Sequence, residues 1–204
     1  MTLKESAPLT EPEMQWPMPP VDRYVAEDLD TIPDLPPHTE LIDGSLVIVS
    51  AQPNFHQRML RALEWSLVGQ APKDYQVVRE MTVTLGPKQR PEPDIMITWA
   101  AAAMRSNGQT DFKPEDVLLV AEVVSPESRV RDRVRKPQLY AEAGFQRYWR
   151  IEEDRASGRP VVYTYELDPA TKTYVATGIH RGHLTASWPF PIDIDLDAIE
   201  LPGR

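Results

Sequence analysis

The chain of 204 residues contains no cysteine, which excludes disulfides, thiolate nucleophiles and cysteine-based zinc sites. It has no apolar run near the roughly 18 residues of a membrane span, and no apolar segment follows the first methionine. The motifs GxxxxGK[ST] and GxSxG are also absent. We therefore expect a cytoplasmic protein with no membrane contact, which is neither a P-loop enzyme nor a serine hydrolase of the elbow type.

An excess of basic residues is lacking too, since the net charge is −9. The acidic excess lies at the two ends of the chain. Residues 1–45 hold 10 acidic and 2 basic side chains, residues 46–185 hold 17 and 19, and residues 186–204 hold 4 and 1. The total charge argues against a nucleic-acid partner, but the balanced middle of the chain leaves one possible.

Proline is abundant at the start of the chain. Five prolines lie in the first twenty residues, which show no apolar periodicity. We interpret residues 1–21 as an irregular proline-rich arm and residues 22–204 as a single domain.

The rest of the chain alternates between strand and helix patterns. TELIDGSLVIVS predicts a hairpin that turns at Asp43-Gly44, after a short helix before Pro33. NFHQRMLRALEWSLVGQ predicts an amphipathic helix, capped by Asn54 and stopped near Gly69. Further elements are strands in YQVVREMTVTL, PDIMITW and VLLVAEVVS, a helix ending near Gly144, a strand in FQRYWRIEE, and a hairpin-rich end. The pattern predicts a mixed α/β domain with VLLVAEVVS as a central strand covered on both faces.

Three ionisable residues stand out against this pattern: Asp94 opens a strand, Glu122 interrupts an apolar strand, and Lys136 follows it. A lone buried carboxylate costs several kcal/mol unless it is paired or coordinated. Carboxylates on neighbouring strands can hold Mg²⁺, and a nearby lysine can orient water or neutralise phosphate. From the residues alone, Asp94 as a turn residue, Glu122 in an ion pair and Lys136 on a solvated basic face remain open alternatives.

Several segments in fixed order carry a resemblance to a known family. They are TELIDGSL, Pro93-Asp94, EVVSPES at 122–128, Asp132, Lys136, YAEAGF at 140–145 and RYWRI at 147–151. Together they resemble the Uma2 family of restriction-endonuclease-like proteins, within the PD-(D/E)XK nuclease superfamily. The resemblance covers roughly residues 22–200, and EVVSPES and the AG-x-x-x-YW segment are its most specific parts.

The resemblance implies an α/β, restriction-endonuclease-like core, in which helices flank a mixed β-sheet, with hairpin-rich N- and C-terminal β extensions. It also implies that Asp94, Glu122 and the backbone carbonyl of Val123 bind Mg²⁺ or Mn²⁺. The superfamily lysine is expected two residues after Glu122, where this chain has Val124, and Lys136 matches a lysine that has migrated to the following helix. Pro137 either starts that helix, leaving Lys136 on a more mobile segment, or kinks it.

Other candidate residues keep two interpretations each. Glu40 is a third acidic ligand or a hairpin charge. His56 lies off the apolar stripe of its helix, so it is a surface or capping residue, or else it contacts phosphate or acts as a base. We expect Tyr140, Tyr148 and Trp149 to pack in the core.

The function that these features predict is Mg²⁺-dependent hydrolysis of DNA phosphodiester bonds by an endonuclease, with catalytic residues Asp94, Glu122 and Lys136. The backbone of DNA would contact the basic run Arg129, Arg131, Arg133 and Arg135. A homodimer is expected because both strands must be cut. The alternatives are a catalytically inactive nuclease fold that binds nucleic acid or a protein, and a metal enzyme acting on a small phosphorylated substrate.

Overall fold

The computed structural model describes residues 18–105, 108 and 110–199. The predicted proline-rich arm, residues 1–21, therefore lies almost wholly outside the described residues, and only its last four positions are seen, all of them exposed. The helix predicted before Pro33 is present as α1 (Asp28–Thr31).

The other elements follow in chain order. They are β1 (Thr39–Ile42), β2 (Ser45–Ile48), α2 (Asn54–Gln70), β3 (Tyr75–Arg79), β4 (Thr82–Val83), β5 (Ile95–Trp99), α3 (Ala100–Ala103), β6 (Asp111–Phe112), a 3₁₀ turn (Pro114–Asp116), β7 (Val117–Val123), a π-helical turn (Arg131–Arg135), α4 (Lys136–Glu142), β8 (Arg147–Glu153), β9 (Pro160–Asp168), β10 (Thr173–His180), β11 (His183–Ala186) and β12 (Ile192–Asp195).

A six-stranded mixed sheet in the order β10-β9-β8-β7-β5-β3 forms the centre of the fold. Strand β7 is parallel to β8 and antiparallel to β5, and all seven of its residues are buried. This confirms the prediction that VLLVAEVVS is a central strand, since a nearly unbroken apolar run suits a strand that is covered on both faces.

Two hydrophobic clusters cover the two faces of this sheet. One contains Met59 and Leu63 of α2, Trp149 of β8 and Ile192 and Ile194 of β12. The other includes Tyr140 of α4 together with Tyr148, Phe145, Val120 and Met96. Side chains alternate between the two faces along each strand, so Tyr148 and Trp149 enter different clusters. All three aromatic residues expected in the core are buried there.

The hairpin β1–β2 is confirmed, with its turn at the predicted Asp43-Gly44 pair. Both turn residues have positive φ, 53° and 71°, as the commonest two-residue hairpin turn requires. The hairpin forms its own two-stranded sheet beside the central one.

Other details of the prediction are wrong. YQVVREMTVTL is not one strand, because the chain turns at Glu80 (φ 48°) and β4 then pairs with β6 outside the central sheet. Asn54 is the first residue of α2 rather than its cap, Pro53 precedes it, and the helix continues past Gly69 to Gln70.

The predicted hairpin-rich C-terminal extension is confirmed. The hairpin β9–β10 extends the central sheet, whereas β11–β12 forms a separate hairpin. Of the helices in the described part of the chain, none combines the length and apolarity needed to span a membrane.

Candidate active site

An acidic cavity of about 220 Å³ lies where β1, β5, β7 and the π-helical turn meet. Its lining includes two cationic side chains, Lys136 and Arg131, and two histidines, His38 and His56. The acidic residues that line it are Glu40, Glu80, Glu92, Asp94, Glu122 and Asp132. Six carboxyl groups against two permanent cations give the cavity an excess of negative charge, which favours a cation there or proton uptake by the carboxyl groups.

Glu122 lies in β7 with only 1% of its surface exposed. Its Oε1 accepts a hydrogen bond from Tyr140 Oη at 2.5 Å, and Oε2 accepts one from Lys136 Nζ at 3.2 Å. Burial raises the pKa of Glu122 well above its usual value, Lys136 opposes this rise, and the neighbouring carboxylates Asp94, Asp132 and Glu40 add to it. The glutamate that interrupts an apolar strand is thus paired, and it faces a cavity.

Asp94 directly precedes β5, one residue beyond the cross-strand pair Ile95–Ala121, which makes it a neighbour of Glu122 across the two strands. Its Oδ2 accepts the backbone N–H of Val123 at 2.6 Å, and its Oδ1 lies 3.1 Å from His56 Nε2. Pro93 restricts the residue before it, Glu92, to extended backbone, and the chain bends at Asp94. Two carboxylates on adjacent strands therefore share one wall of the cavity, as the sequence predicted.

His56 is only 4% exposed, so the interpretation as a surface or capping residue is wrong. Burial lowers the pKa of His56, but the hydrogen bond and charge of Asp94 outweigh it, and the net pKa is raised. The sequence analysis placed His56 off the apolar stripe, which is wrong, because the buried residues of α2 are His56, Met59, Leu60, Leu63 and Leu67. Counted from His56 they recur at i, i+3, i+4 and i+7, a spacing that could have predicted its burial. Its contact with Asp94, by contrast, depends on the tertiary fold.

Lys136 is buried, at 4% exposure, and its ammonium has several partners. Nζ lies 2.7 Å from Glu40 Oε1, 3.1 Å from Glu122 Oε1 and 3.9 Å from Asp132 Oδ1, and it donates to the Glu92 carbonyl at 3.2 Å. Burial lowers the pKa of Lys136, yet the surrounding carboxylates, led by Glu122 and Glu40, raise it well above its usual value. The side chain therefore remains an ammonium ion.

Pro137 has a different consequence from either predicted one. Lys136 is the first residue of α4, with helical φ and ψ, and helical backbone precedes it as a π turn. The Lys136 N–H bonds to the carbonyl of Arg131, five residues back. If this pattern of bonds between residues five apart continued, the Asp132 carbonyl would accept the N–H of residue 137, but residue 137 is a proline and has no N–H. The Asp132 carbonyl instead accepts a hydrogen bond from Tyr148 Oη at 2.7 Å. Lys136 thus lies within continuous helical backbone and not on a segment before the helix.

Glu40 is 1% exposed and belongs to β1. Besides its contact with Lys136, its Oε1 accepts the Glu92 N–H at 2.8 Å, while Oε2 lies 3.3 Å from Arg131 Nε without hydrogen-bond geometry. The side chain is therefore a buried partner of the lysine, an arrangement that neither of the two sequence interpretations anticipated.

Two further residues of the site were not assigned a role from the sequence. Asp132 is buried, its Oδ1 has no hydrogen-bond partner, and burial raises its pKa to about 6. Its spacing of four residues from Lys136 is a signal that could have placed it at the site. Tyr140 was assigned to the core, which is correct, but its hydroxyl also holds Glu122. Nothing in the sequence indicates that contact, because the hydroxyl of a core tyrosine can bond to many acceptors.

The basic run does not act as one surface in this structure. Arg131 lines the cavity and pairs with Glu40 and, at 3.7 Å, with Glu127. Arg133 forms a bidentate ion pair with Glu152, and Arg135 forms a bidentate ion pair with Asp43. Arg129 is partly exposed. Contact between this run and a nucleic-acid backbone stays a prediction.

The donor set suits a divalent cation of the Mg²⁺ type. Among the described residues no group of three or more acidic or histidine side chains stands ready to hold a metal. Mg²⁺, however, is usually bound through one or two carboxylates and keeps several waters. Asp94 and Glu122 supply that number, Val123 lines the same cavity, and the negative excess favours a cation. The residues present therefore fit the ion that the sequence predicted.

Comparisons with known proteins show a family and similar solved structures. Residues 26–197 match the family Uma2, described as "Putative restriction endonuclease". A crystal structure of "a putative nuclease belonging to DUF820" from Anabaena variabilis is similar with a TM-score of 0.60 and 14% identity, over 80% of this chain and 88% of that one. The type IIG restriction endonuclease BpuSI matches with a TM-score of 0.34 and 19% identity, over 61% of this chain and 13% of that one. No curated protein sequence matches.

Proposed function

The chain belongs to the Uma2 family, and we propose that it is an endonuclease that uses Mg²⁺ or Mn²⁺ to hydrolyse phosphodiester bonds of DNA. One observation carries the proposal. Asp94 and Glu122 lie side by side on neighbouring strands at an acidic cavity, and the ammonium of Lys136 contacts Glu122 from the following helix. Within one such site, a cation, a phosphate and an attacking water can be held together.

Asp94, Glu122 and the carbonyl of Val123 would hold the metal ion. When bound, such an ion stabilises negative charge on the phosphate and lowers the pKa of a coordinated water. His56 and the Val123 N–H fix the Asp94 carboxylate, and Tyr140 fixes that of Glu122. These hydrogen bonds orient the two carboxylates before any ligand enters, which reduces the reorganisation needed on binding.

Lys136 would act on the substrate. Its ammonium remains charged because carboxylates surround it. From its position beside Glu122 it can donate a hydrogen bond to an oxygen of the scissile phosphate or to the attacking water, and both contacts grow stronger as negative charge develops. The long side chain allows this although its backbone lies in α4 and not two residues after Glu122.

The proposed substrate is DNA, bound by a single nuclease domain over residues 22–204. A cavity of about 220 Å³ admits a phosphate group and its waters, whereas ligand pockets for larger molecules span about 300–1,000 Å³. Arg131, at the cavity, would contact the scissile phosphate. Arg129, Arg133 and Arg135 would contact the DNA backbone on either side of that phosphate. Cutting both strands would require two copies of the site, hence a homodimer.

A second function has one observation in its favour. Both oxygens of Glu122 and both oxygens of Asp94 already have protein partners, which is what a fold that has lost its metal would also show. In that case the protein would bind a nucleic acid or a protein without cleaving it. Binding of Mn²⁺ by the purified protein discriminates between the two functions.

The test of the proposed function is cleavage of supercoiled plasmid by purified protein with Mg²⁺ or Mn²⁺, and with EDTA as the blank. We expect nicked or linear DNA only with metal, and loss of at least about 100-fold in rate for Glu122→Ala. The matched control is Glu166→Gln, a half-exposed strand glutamate paired with Arg147, which should cleave at the rate of the unmodified protein. Cleavage by Glu122→Ala at the unmodified rate would overturn the proposal.

A further inference from the structure

The lysine of this site reaches Glu122 from a helix, so something other than its own backbone must hold its ammonium in place. A lysine side chain has four rotatable carbon bonds and a compact charge, and it samples many positions unless it is bonded. In the described structure the ammonium has three close acceptors, the carboxylates of Glu40 and Glu122 and the carbonyl of Glu92. Glu122 and the Glu92 carbonyl accept hydrogen bonds from the ammonium, and Glu40 forms an ion pair with it.

Glu40 makes the shortest of these contacts, 2.7 Å against 3.1 Å or more for the others. It is itself fixed, since all four residues of β1 are buried and its Oε1 also accepts the Glu92 N–H. Strand β1 and the Glu92 segment thus present two acceptors at a defined distance from Glu122.

The surroundings of Glu40 disfavour a metal ion at its carboxylate. Its Oε1 is shared by the Lys136 ammonium and an amide, and its Oε2 faces the guanidinium of Arg131 at 3.3 Å. A divalent ion placed at either oxygen would meet the like charge of a neighbouring cation. Glu122 also contacts the Lys136 ammonium, but no arginine pairs with it, and Asp94 pairs with neither Lys136 nor an arginine in the described structure, so Glu40 alone has a permanent cation at each of its two oxygens.

We propose that Glu40 is a positioning residue: it holds the Lys136 ammonium against Glu122 and does not bind the metal. The inference rests on the proposed function for its catalytic consequence, but the placement of the lysine is independent of it. It explains how a lysine supplied by α4 can replace one supplied by β7, because the β1–β2 hairpin provides the second anchor that the migrated side chain needs.

The hairpin also offers a matched control. Asp43 lies in the turn of the β1–β2 hairpin. It pairs with Arg135, the last residue of the π-helical turn, which directly precedes Lys136. Asp43→Asn therefore removes one carboxylate that ties the hairpin to this helical segment without touching the lysine. Glu40→Gln removes the second carboxylate that ties the hairpin to this segment, and it leaves Lys136 with a neutral partner of the same size.

The experiment compares the unmodified protein, Glu40→Gln and Asp43→Asn in three assays. The first is acetylation of Lys136 by an N-hydroxysuccinimide ester in metal-free protein, followed by peptide mass spectrometry with exposed Lys172 as the internal reference. The second is calorimetric titration with Mn²⁺. The third is plasmid cleavage at saturating Mn²⁺.

For Glu40→Gln we expect Lys136 to be acetylated about tenfold faster, as a side chain released from local order would be. The Kd for Mn²⁺ should stay within about twofold, whereas losing a ligand or its immediate support costs about 10–100-fold. The cleavage rate at saturating metal should fall about 100-fold, as expected when one positioned proton donor is lost. Asp43→Asn should leave the acetylation rate and the Kd for Mn²⁺ unchanged.

Two results would overturn the proposal. Mn²⁺ binding weakened about tenfold or more by Glu40→Gln would make Glu40 a metal ligand or the immediate support of one. An unchanged rate of Lys136 acetylation would mean that Glu40 does not hold the lysine and is only a charge on the hairpin. If Glu40→Gln does not fold, Glu40→Asp keeps the charge but withdraws it from Lys136, and the same outcomes apply. Absence of cleavage by the unmodified protein would refute the proposed function alone, because acetylation and Mn²⁺ binding still decide the role of Glu40.

Discussion

At the scale of single residues, the site concentrates ionisable groups that water would otherwise solvate. Glu40, Glu122, Asp132 and Lys136 are each almost fully buried. Removing one partner of such a group leaves an uncompensated charge, so these side chains depend on one another. The arrangement costs folding stability and is typical of functional sites, where pKa values are shifted for a purpose.

The burial of Asp132 makes the stability of the protein depend on pH. The pKa of Asp132 rises from 3.8 to about 6 on folding, so the folded protein binds more protons than the unfolded chain between about pH 4 and 6. The stability of the metal-free protein therefore falls as the pH rises through this window, by about 3 kcal/mol for this group. The variant Asp132→Asn has no carboxyl group that titrates at this position. In urea unfolding with EDTA, we compare the free energy of unfolding of the variant with that of the unmodified protein. The difference in favour of the variant should be about 3 kcal/mol larger at pH 8 than at pH 4. An equal difference at the two pH values would contradict the account.

Tyr140 offers a second test at this scale, because its hydroxyl donates to a buried carboxylate. Hydrogen bonds to charged groups contribute about 1.5–3 kcal/mol and neutral ones about 0.5–1.5 kcal/mol. Tyr140→Phe should therefore lower the free energy of unfolding at pH 8 by about 2–3 kcal/mol. Tyr174→Phe is the control, since that hydroxyl donates to the Phe145 carbonyl at 2.9 Å, and it should cost about 1 kcal/mol. Chemical denaturation measures both losses of stability. Equal losses would contradict the account, because the hydrogen bond from Tyr140 to Glu122 would then be no stronger than one to a neutral carbonyl.

At the scale of elements, the π-helical turn determines which side chains enter the site. Its wider turn places Arg131 and Asp132 on the cavity side together with Lys136, while Arg133 points to Glu152. Such turns are rare in proteins overall, and those that exist are often found at functional sites. Here the following proline helps to explain the turn, because it removes the donor that a regular ladder would need at residue 137.

A double-mutant cycle tests this explanation. Tyr148→Phe removes the donor to the Asp132 carbonyl and should cost about 1–2 kcal/mol of stability. In a Pro137→Ala background the new N–H at residue 137 can take over that acceptor, so the same substitution should cost about 1 kcal/mol less. Urea unfolding of the four proteins yields the coupling energy. Additive effects, within about 0.5 kcal/mol, would mean that Tyr148 does not replace the missing amide.

At the scale of the whole molecule, buried Arg90 joins the N-terminal segment to the rest of the fold. Its guanidinium contacts Asp30 at 2.6 and 3.0 Å, the Ala26 carbonyl at 3.0 Å and Thr82 Oγ1 at 2.9 Å. Through Leu41, whose backbone pairs with Arg90, it also supports the strand that carries Glu40.

We therefore expect Arg90→Ala to lower the free energy of unfolding by about 3–5 kcal/mol, since it leaves two buried acceptors, the Ala26 carbonyl and the Thr82 hydroxyl, without this donor, at about 1–3 kcal/mol each. Arg79→Ala is the matched control. Arg79 pairs with Glu64 and Glu80 at the surface, where such contacts contribute about 1 kcal/mol or less. Thermal or urea denaturation measures both variants, and a loss for Arg90→Ala no greater than that for Arg79→Ala would contradict the role assigned to Arg90.

The sequence predicted the features that local pattern determines. The central strand β7, the hairpin turn at Asp43-Gly44 and helix α2 follow from apolar periodicity and turn chemistry, and motifs placed Asp94, Glu122 and Lys136 at one site. The contact of His56 with Asp94, the pairing of Glu40 with Lys136 and the β4–β6 bridge depend on residues far apart in the chain. The π-helical turn depends on Tyr148, a residue of the next strand. Local patterns carry no information about such contacts.

The central claim is that Asp94 and Glu122 share a divalent cation. The most direct measurement is anomalous diffraction from a crystal of this protein soaked in MnCl₂. The account predicts a manganese peak at about 2.1 Å from a carboxylate oxygen of Asp94 and of Glu122, and no such peak in Glu122→Gln crystals soaked identically. A peak bound elsewhere in the cavity, or none while Lys136 still bridges Glu40 and Glu122, would contradict it.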